Sequence, residues 1–577
     1  MSRSGEHARE AALSIVRGIP LHDEPGIGAL TMPGFLREVT CRFADREALV
    51  LRTADSVVRW SYASLWDHAL DVARALIACG AGRDSRVGIM MTNRPEWIAA
   101  VFGVGLARGV AVALSTFSTP AELQYLLQTS CISILLFERS VANKDFVEIL
   151  CSLEPQIGTA RDDGLASPQY PFLRRLAVVG DAPTGSVIES WTNFLARGDT
   201  VSPALLEARA RSVKPWDTGA LFFSSGSTAR PKGILNSHRA MAIQCWRSRR
   251  LFALGDDVRC WSANGFMWSG NFVMALGGTL AAGGSLVLQR LFEPNEALQL
   301  MEAEGVTLPI AWPHQWAQLQ MATNWNEADL RSLRYVDASS PASRHPTVSA
   351  QWVEPKWAYG STETFTVSVS FPSGTSQEVA QNSHGIPLPG NTLKIVDPQT
   401  GVILPRAQRG EIAIKGPTLM LGYVGVPLDE TLDEEGFFRT GDGGYVDDQG
   451  RLFWEGRLTD VIKTGGANVS PLEVDGVLAA FPGVKMGKTV GVPHDTLGEM
   501  VVACIVPQEG ICIQEDTIRS FLKSKLASYK VPRRILFFRE DELALTGSAK
   551  IKSGALRELA ARRLSADRAD SFGAPLE

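Results

Sequence analysis

A loop rich in hydroxyl groups follows an apolar run in the first half of the chain. The segment is Leu221-Phe-Phe-Ser-Ser-Gly-Ser-Thr-Ala-Arg-Pro-Lys-Gly-Ile234, with four hydroxyl side chains, two glycines and Lys232. Backbone N–H groups and hydroxyl donors can surround a polyphosphate, and a lysine adds a point charge. No glycine directly precedes Lys232, so the spacing is not that of a Walker A loop. We interpret the segment as a phosphate-binding loop, with a flexible Ser/Gly loop as the alternative.

Further polar segments follow in order along the chain. They are Trp357-Ala-Tyr-Gly-Ser-Thr-Glu-Thr364, Gly410-Glu-Ile-Ala-Ile-Lys-Gly416 with Leu421-Gly-Tyr423, Phe438-Arg-Thr-Gly-Asp442, Gly456-Arg-Leu-Thr-Asp460, Lys463-Thr-Gly-Gly466 and Leu545-Thr-Gly-Ser-Ala-Lys550. Taken singly, each is also typical of an ordinary turn or surface loop. We interpret the segment Gly410–Gly416, with Leu421–Tyr423, as purely structural.

Taken together and in this order, the segments resemble the adenylate-forming (AMP-binding) enzyme superfamily, which includes acyl- and aryl-CoA ligases, peptide synthetase adenylation domains and beetle luciferases. The resemblance covers nearly the whole chain after about residue 30. It implies an acid–thiol ligase of the acyl-CoA synthetase type that uses ATP, Mg²⁺ and coenzyme A. The carboxylate would attack the α-phosphorus to give an acyl-adenylate and pyrophosphate, and a thiol would then take the acyl group and release AMP.

The resemblance also implies roles for individual residues in the large domain. Tyr359 would lie against the adenine, Thr362 would approach the α-phosphate, and Asp442 would accept hydrogen bonds from both ribose hydroxyls. Glu363 would hold Mg²⁺ together with Thr228, since a carboxylate is a hard ligand. The other implied nucleotide-binding residues are Ser224, Ser225, Gly226, Ser227, Lys232, Gly360, Ser361 and Arg457.

The implied roles in the last part of the chain concern catalysis and movement. Lys550 would be the catalytic lysine of adenylation, and Gly465 and Gly466 would line the thiol channel after the small domain rotates. Thr459 occupies the hinge position, where the family usually has Asp or Lys. Further departures from the family pattern are Ala229, Ala549 and Ser553, and Lys552 is a nearby competitor for the role of Lys550.

The pattern of apolar segments predicts the elements that position these residues. Strand–helix alternation from Trp60 to Phe137, resumed from Asp217 to Val336, predicts a doubly wound α/β fold. Short strands bounded by turns after about Gly385 predict a β-rich subdomain. We therefore expect an N-terminal extension (1–30), an AMP-binding domain (31–457) of two α/β subdomains plus the β-rich one, and a small mobile α+β lid domain (458–577).

Three segments are predicted to form the acid pocket, namely 262–272, 312–318 and 336–340. They are rich in aromatic side chains and poor in charges, which suits an apolar acyl or aryl carboxylate. No acidic residue lies between Cys260 and Gln289, which argues against an α-amino acid substrate. The predicted pocket residues are Phe266, Met267, Trp268, Trp312 and Ser339.

Composition excludes several other classes. The chain of 577 residues has 57 basic and 62 acidic residues interspersed, so it has no nucleic-acid signature. Its eight cysteines include no C-x-x-C pair, which argues against a zinc site or a disulfide framework. The uncharged stretch Cys260–Gln289 is broken by two Gly-Gly pairs, so we expect no transmembrane segment. With no signal-peptide pattern at the start, we expect a cytoplasmic protein.

Several alternatives stay open at this stage. The partners that we expect are a small carboxylic acid, ATP and CoA, while a homodimer stays open. Transfer of the acyl group to a separate carrier protein is the main competitor within the family, although no carrier module follows Ser565. Two other functions stay open, namely a non-catalytic acyl- or nucleotide-binding homologue and a serine hydrolase. A serine hydrolase would leave the later motifs unexplained.

Overall fold

The computed structural model describes residues 13–159, 165–224, 231–355, 357–464, 467–494, 497–526, 530–543, 551 and 553–572. Its longer helices are Met32–Arg42, Tyr62–Ala78, Pro95–Leu106, Pro120–Ser130, Phe146–Leu153, Pro203–Ser212, His238–Leu251, Pro294–Ala303, Pro313–Met321, Pro471–Ala479, Glu515–Lys525 and Ser553–Phe572. Among the helices described, none is both long and apolar enough to cross a membrane.

An eight-stranded sheet forms the centre of the first α/β subdomain. Its strands, in spatial order, are Ile188–Ser190, Arg175–Val179, Ile134–Glu138, Arg86–Met90, Val110–Ala113, Thr218–Phe223, Gly233–Ser237 and Gly422–Tyr423. The first six are parallel, and the last two pairings are antiparallel. Crossover helices such as Pro95–Leu106 are buried along nearly their whole length, as expected where helices cover a parallel sheet.

The second α/β subdomain contains a five-stranded sheet, in the order Leu308–Ile310, Arg259–Ser262, Ser285–Leu288, Glu47–Arg52 and Val57–Ser61. The first four strands are parallel, and the last pairing is antiparallel. The connection between the strands Arg259–Ser262 and Ser285–Leu288 consists of three helical segments: Ser269–Asn271, the π-helical Phe272–Gly277 and Gly278–Ala282. The uncharged stretch therefore folds as buried strand, helix and strand rather than as a spanning helix.

A five-stranded antiparallel sheet forms the β-rich subdomain, in the order Ile15–Arg17, Thr392–Val396, Gly410–Lys415, Phe438–Val446 and Leu452–Arg457. Ile15 pairs with Lys394, so part of the predicted N-terminal extension is built into this sheet. The strand ending at Arg457 is the last one of the subdomain, and the turn Leu458–Asp460 follows it.

The C-terminal part has its own sheet and core. Four antiparallel strands form most of this sheet, in the order Ala467–Val469, Ile462–Thr464, Gly498–Pro507 and Val484–His494. A fifth strand, Arg534–Phe537, pairs parallel with Gly498–Pro507. Apolar residues of Pro471–Ala479 and Glu515–Lys525 cover one face, and those of Ser553–Phe572 cover the other. The whole arrangement confirms the predicted fold class of a large domain with two α/β subdomains and a β-rich one, followed by a small α+β domain.

Candidate active site

The hydroxyl-rich loop joins two adjacent antiparallel strands of the eight-stranded sheet. Phe223 pairs with Gly233 where the strands Thr218–Phe223 and Gly233–Ser237 meet the loop. The Ser224 N–H donates to the Lys232 carbonyl over 3.0 Å, and the Lys232 N–H donates to Ser224 Oγ over 3.3 Å. Ser224 and Lys232 therefore close the base of the loop. Ser225, Gly226, Ser227 and Thr228 lie outside the described residues, and their roles stay predictions.

A tight loop presents the residues of the Tyr-Gly-Ser-Thr-Glu segment. Tyr359 and Val369 exchange two backbone hydrogen bonds of 2.9 and 3.0 Å, and the Thr366 N–H donates to the Ser361 carbonyl over 2.9 Å. A Cβ at position 360 would lie 1.9 Å from the Thr366 carbonyl oxygen, so only glycine permits this approach. Thr366 itself has φ +94°, a costly conformation for a β-branched residue. The loop is held in one shape by contacts at its base.

Tyr423 contacts the predicted metal ligand. Its hydroxyl donates to Glu363 Oε1 over 2.8 Å, and the Met420 N–H donates to the Glu363 carbonyl over 2.7 Å. Lys232 Nζ lies 4.9 Å from the centroid of the Tyr423 ring, within cation–π distance. Burial and the nearby Glu363 carboxylate raise the pKa of the Tyr423 phenol, so it stays a hydrogen-bond donor at neutral pH. The segment Leu421-Gly-Tyr423 was expected to be purely structural, and nothing in its sequence pattern predicts this contact with Glu363.

The predicted ribose ligand Asp442 is buried between an aromatic and a basic side chain. The Tyr359 hydroxyl donates to Asp442 Oδ2 over 2.7 Å, and Arg457 Nε lies 3.1 Å from Oδ1. Arg457 also donates to the Thr440 carbonyl over 2.7 Å. Burial raises the pKa of the Asp442 carboxyl, although Arg457 and Tyr359 act in the opposite direction. A carboxylate has about four acceptor positions, so these contacts leave capacity for a ligand hydroxyl.

The Tyr359 ring lies in the core of the β-rich subdomain. Its side chain is 5% exposed and packs among Val369, Leu393 and Ile395, with the Trp454 ring 6.1 Å away. The ring is thus fixed by packing as well as by Asp442, and its placement against an adenine remains a prediction.

A cavity of about 640 Å³ opens beside Thr362. Aromatic side chains form much of its wall; these are Phe117, Phe223, Phe252, Trp268, Trp312, Trp316, Tyr335 and Trp352. The Phe252 and Trp352 rings stack with centroids 6.1 Å apart, and Tyr335 meets Trp352 edge-on at 5.9 Å. Phe117 and Trp312 are 58% and 42% exposed. The cavity thus combines a rigid aromatic wall with two aromatic side chains open to solvent.

Three of the five predicted pocket residues line this cavity, namely Trp268, Trp312 and Ser339. Phe266 and Met267 do not line it, and their role in the acid pocket stays a prediction. Both are buried in the main core, where the Phe266 ring lies 5.4 Å from Trp97. The Phe266 N–H donates to Asn93 Oδ1 over 3.0 Å, and Asn93 follows the strand Arg86–Met90 of the eight-stranded sheet.

Two acidic residues, Asp337 and Glu354, line the cavity, and both lie outside the acid-free stretch from Cys260 to Gln289. Asp337 Oδ1 accepts hydrogen bonds from the Ser339 N–H and hydroxyl over 2.8 and 2.7 Å, and Oδ2 accepts from the Glu354 N–H over 3.1 Å. Asp337 therefore fastens segments of the wall to one another. These contacts give it a structural role in the cavity wall.

The predicted residues of the small domain are only partly described. Thr459 lies in the turn Leu458–Asp460, directly after the β-rich subdomain. Gly465, Gly466 and Lys550 lie outside the described residues, so the structure leaves their predicted roles untested. Across the boundary, the Ser470 hydroxyl donates to the Glu455 carbonyl over 2.6 Å.

Residues 36–424 match the AMP-binding enzyme family, and residues 473–550 match the AMP-binding enzyme C-terminal domain. The chain is 30% identical to an indoleacetate–CoA ligase of Aromatoleum aromaticum, over 87% of this chain and 94% of that protein. It is 28% identical to a putative acyl-CoA synthetase of Bacillus subtilis, over 92% of this chain and 96% of that protein.

Solved structures show the same fold. The anthranilate CoA ligase AuaEII in complex with anthranoyl-AMP aligns with a TM-score of 0.75 at 23% identity, over 94% of this chain and 99% of that one. The chain belongs to the AMP-binding enzyme family and is an acid–thiol ligase of the acyl-CoA synthetase type.

Proposed function

We propose that this enzyme joins an apolar acyl or aryl carboxylic acid to coenzyme A through an acyl-adenylate, and that ring-bearing acids are its preferred substrates. The observation that carries the proposal is the aromatic cavity of about 640 Å³ that reaches Thr362, a predicted nucleotide-binding residue. Aromatic walls favour flat rings, since offset or edge-on ring pairs add about 0.5–1.5 kcal/mol beyond area burial. The acid would place its ring against Phe252, Trp268 and Trp352 and its carboxylate towards Thr362.

The nucleotide would lie between three of the segments already described. The loop closed by Ser224 and Lys232 would bind the β- and γ-phosphates through Ser225, Gly226, Ser227 and Thr228. The tight loop would bring Gly360, Ser361 and Thr362 close to the α-phosphate. Asp442 and Arg457 would bind the ribose, and Asp442 keeps acceptor capacity for it.

Glu363 suits a Mg²⁺ ion that is shared with ATP. One of its carboxylate oxygens accepts from Tyr423, and within the described part of the chain the other oxygen accepts no hydrogen bond. The described residues contain no cluster of three or more His, Cys, Asp or Glu side chains able to hold a metal by themselves. One carboxylate with phosphate oxygens is a common arrangement for Mg²⁺, and Thr228 would add a hydroxyl. When bound, Mg²⁺ would supply positive charge beside the triphosphate.

In the first half-reaction, a carboxylate oxygen of the acid would bond to the α-phosphorus while the bond to pyrophosphate breaks. Catalysis of phosphoryl chemistry of this kind is mainly positioning and electrostatic stabilisation. Lys550 would neutralise charge at the carboxylate and α-phosphate, while Lys232 would neutralise charge on the departing pyrophosphate. The aromatic wall would exclude water from the mixed anhydride that forms.

In the second half-reaction, the CoA thiol would lose its proton to solvent, and its sulfur would bond to the acyl carbon as the bond to AMP breaks. The turn that contains Thr459 would let the small domain rotate, withdrawing Lys550 and bringing Gly465 and Gly466 to the thiol channel. The curated relatives described above are named as acyl-CoA synthetase or CoA ligase, which supports CoA over a carrier protein as acceptor.

The test is the release of pyrophosphate and AMP from ATP and Mg²⁺ with short, medium, long and aromatic acids, each with and without CoA. Turnover that requires CoA and is fastest with ring-bearing acids is the expected result. A single burst of pyrophosphate that CoA does not accelerate would favour a carrier-protein acceptor. No release with any acid would favour a non-catalytic binding protein.

A further inference from the structure

Tyr423 occupies a fixed position at the edge of the eight-stranded sheet. It pairs with Ile234, and the flanking Leu421 and Val424 N–H groups donate to Leu235 and Gly233 over 2.7 and 2.8 Å. The Phe438 ring meets the Tyr423 ring edge-on at 6.5 Å. Because backbone and ring are both held, the hydroxyl and the ring face point in set directions.

Two groups of opposite charge contact different parts of this side chain. Glu363 accepts a hydrogen bond from the hydroxyl over 2.8 Å, and Lys232 Nζ lies 4.9 Å from the ring centroid. Within the part of the chain that the structure describes, neither Lys232 nor Glu363 forms an ion pair. A direct pair between them would neutralise both charges and remove them from a ligand.

We propose that Tyr423 is a positioning residue that keeps the Glu363 carboxylate and the Lys232 ammonium apart and directs both at the magnesium–triphosphate group of ATP. The hydroxyl orients the carboxylate, and the ring face attracts the ammonium without neutralising it. The proposal rests on the proposed function and adds a residue to that site.

Two substitutions separate the two contacts. Tyr423→Phe keeps the ring and removes the hydroxyl, whereas Tyr423→Leu removes both. Tyr445→Phe is the matched control, because Tyr445 stacks on Phe453 at 4.8 Å and contacts none of these groups. Binding of ATP to the whole protein is measured by calorimetry, once with Mg²⁺ and once with EDTA. Loss of a direct hydrogen bond to a charged group supports an effect of about ten- to a hundredfold on binding.

Tyr423→Phe is expected to weaken binding of magnesium–ATP by about that factor and to change binding of metal-free ATP less than about twofold. Tyr423→Leu is expected to weaken both, since Lys232 loses its ring. In a Glu363→Gln background, Tyr423→Phe should cause no further metal-dependent loss. Equal losses with and without Mg²⁺ in Tyr423→Phe, or no loss, would overturn the inference. A wild-type protein that binds no magnesium–ATP would instead overturn the proposed function, so the two failures are distinguishable.

Discussion

Tyr359 and Asp442 are 83 positions apart, yet the tyrosine hydroxyl donates a 2.7 Å hydrogen bond to the buried carboxylate. This contact connects the Tyr-Gly-Ser-Thr-Glu loop to the β-rich subdomain. Two segments that are predicted to contact neighbouring parts of the nucleotide, the adenine and the ribose, are therefore joined directly. We therefore expect a ligand that binds Asp442 to act also on the loop that carries Thr362 and Glu363.

Tyr359→Phe is expected to raise the Kd for ATP by about five- to thirtyfold while the fold is retained. Removing the hydroxyl leaves the buried carboxylate without its closest donor, which costs about 1–2 kcal/mol, and the ring still fills the core. Nucleotide binding by calorimetry, with thermal unfolding as a check of the fold, measures the effect. Tyr170→Phe is the control, because the Tyr170 hydroxyl is buried without a partner among the described residues. An unchanged Kd in Tyr359→Phe would contradict a role of this contact in nucleotide binding.

The pH dependence of ATP use should reflect the raised pKa of Asp442. Burial favours the neutral acid, so the carboxyl binds its proton at a higher pH than an ordinary aspartate does. The protonated form loses its charge pairing with Arg457 and one acceptor oxygen for the ribose. As pH falls, kcat/KM for ATP should therefore decline at a higher pH than the ordinary aspartate range. Asp442→Asn should lower kcat/KM and remove this acidic limb, and an unchanged limb in that variant would assign the titration to another group.

Local patterns predicted many elements closely. Apolar residues bounded by turn residues predict strands over Thr392–Val396 and Gly410–Lys415, and both strands have those bounds in the structure. The sequence likewise predicts a helix from Pro120 to Gln128, and the observed helix continues to Ser130. In each case the alternation or periodicity of apolar residues, with turn residues at the ends, carries the information.

Pairing between distant segments could not be predicted in this way. The strand Gly422–Tyr423 joins Gly233–Ser237, and Glu47–Arg52 inserts beside Ser285–Leu288, because of topology and not because of local sequence. The contact of Tyr423 with Glu363 follows from the first of these pairings. Likewise, Phe266 and Trp268 are both aromatic and two residues apart, and only the fold decides that the first is core while the second lines the cavity.

Gly270 offers a way to narrow the acid cavity without disturbing the core. It lines the cavity, and a Cβ built there meets only Met274 Cε, at an ordinary 3.6 Å. Gly270→Val should lower kcat/KM for ring-bearing acids by about tenfold or more, since overpacking costs about 1–3 kcal/mol. The same substitution should change kcat/KM for acetate less than about twofold. Gly270→Ala is the matched control with a single methyl group. Equal losses for both acids would contradict the assignment of this cavity to the acid.

Lys550 is proposed to act in the first half-reaction only, and the two half-reactions can be measured separately. Lys550→Ala should lower acid-dependent pyrophosphate release by about a hundredfold or more, because a charge aimed at the reacting phosphate acts mainly in the transition state. Conversion of supplied acyl-adenylate and CoA to thioester should stay within about threefold of wild type, since the rotated domain would have withdrawn the lysine. Lys552→Ala tests the neighbouring lysine and should spare both steps. Equal loss of both half-reactions in Lys550→Ala would refute the assigned role, and selective loss of adenylation in Lys552→Ala would transfer that role to Lys552.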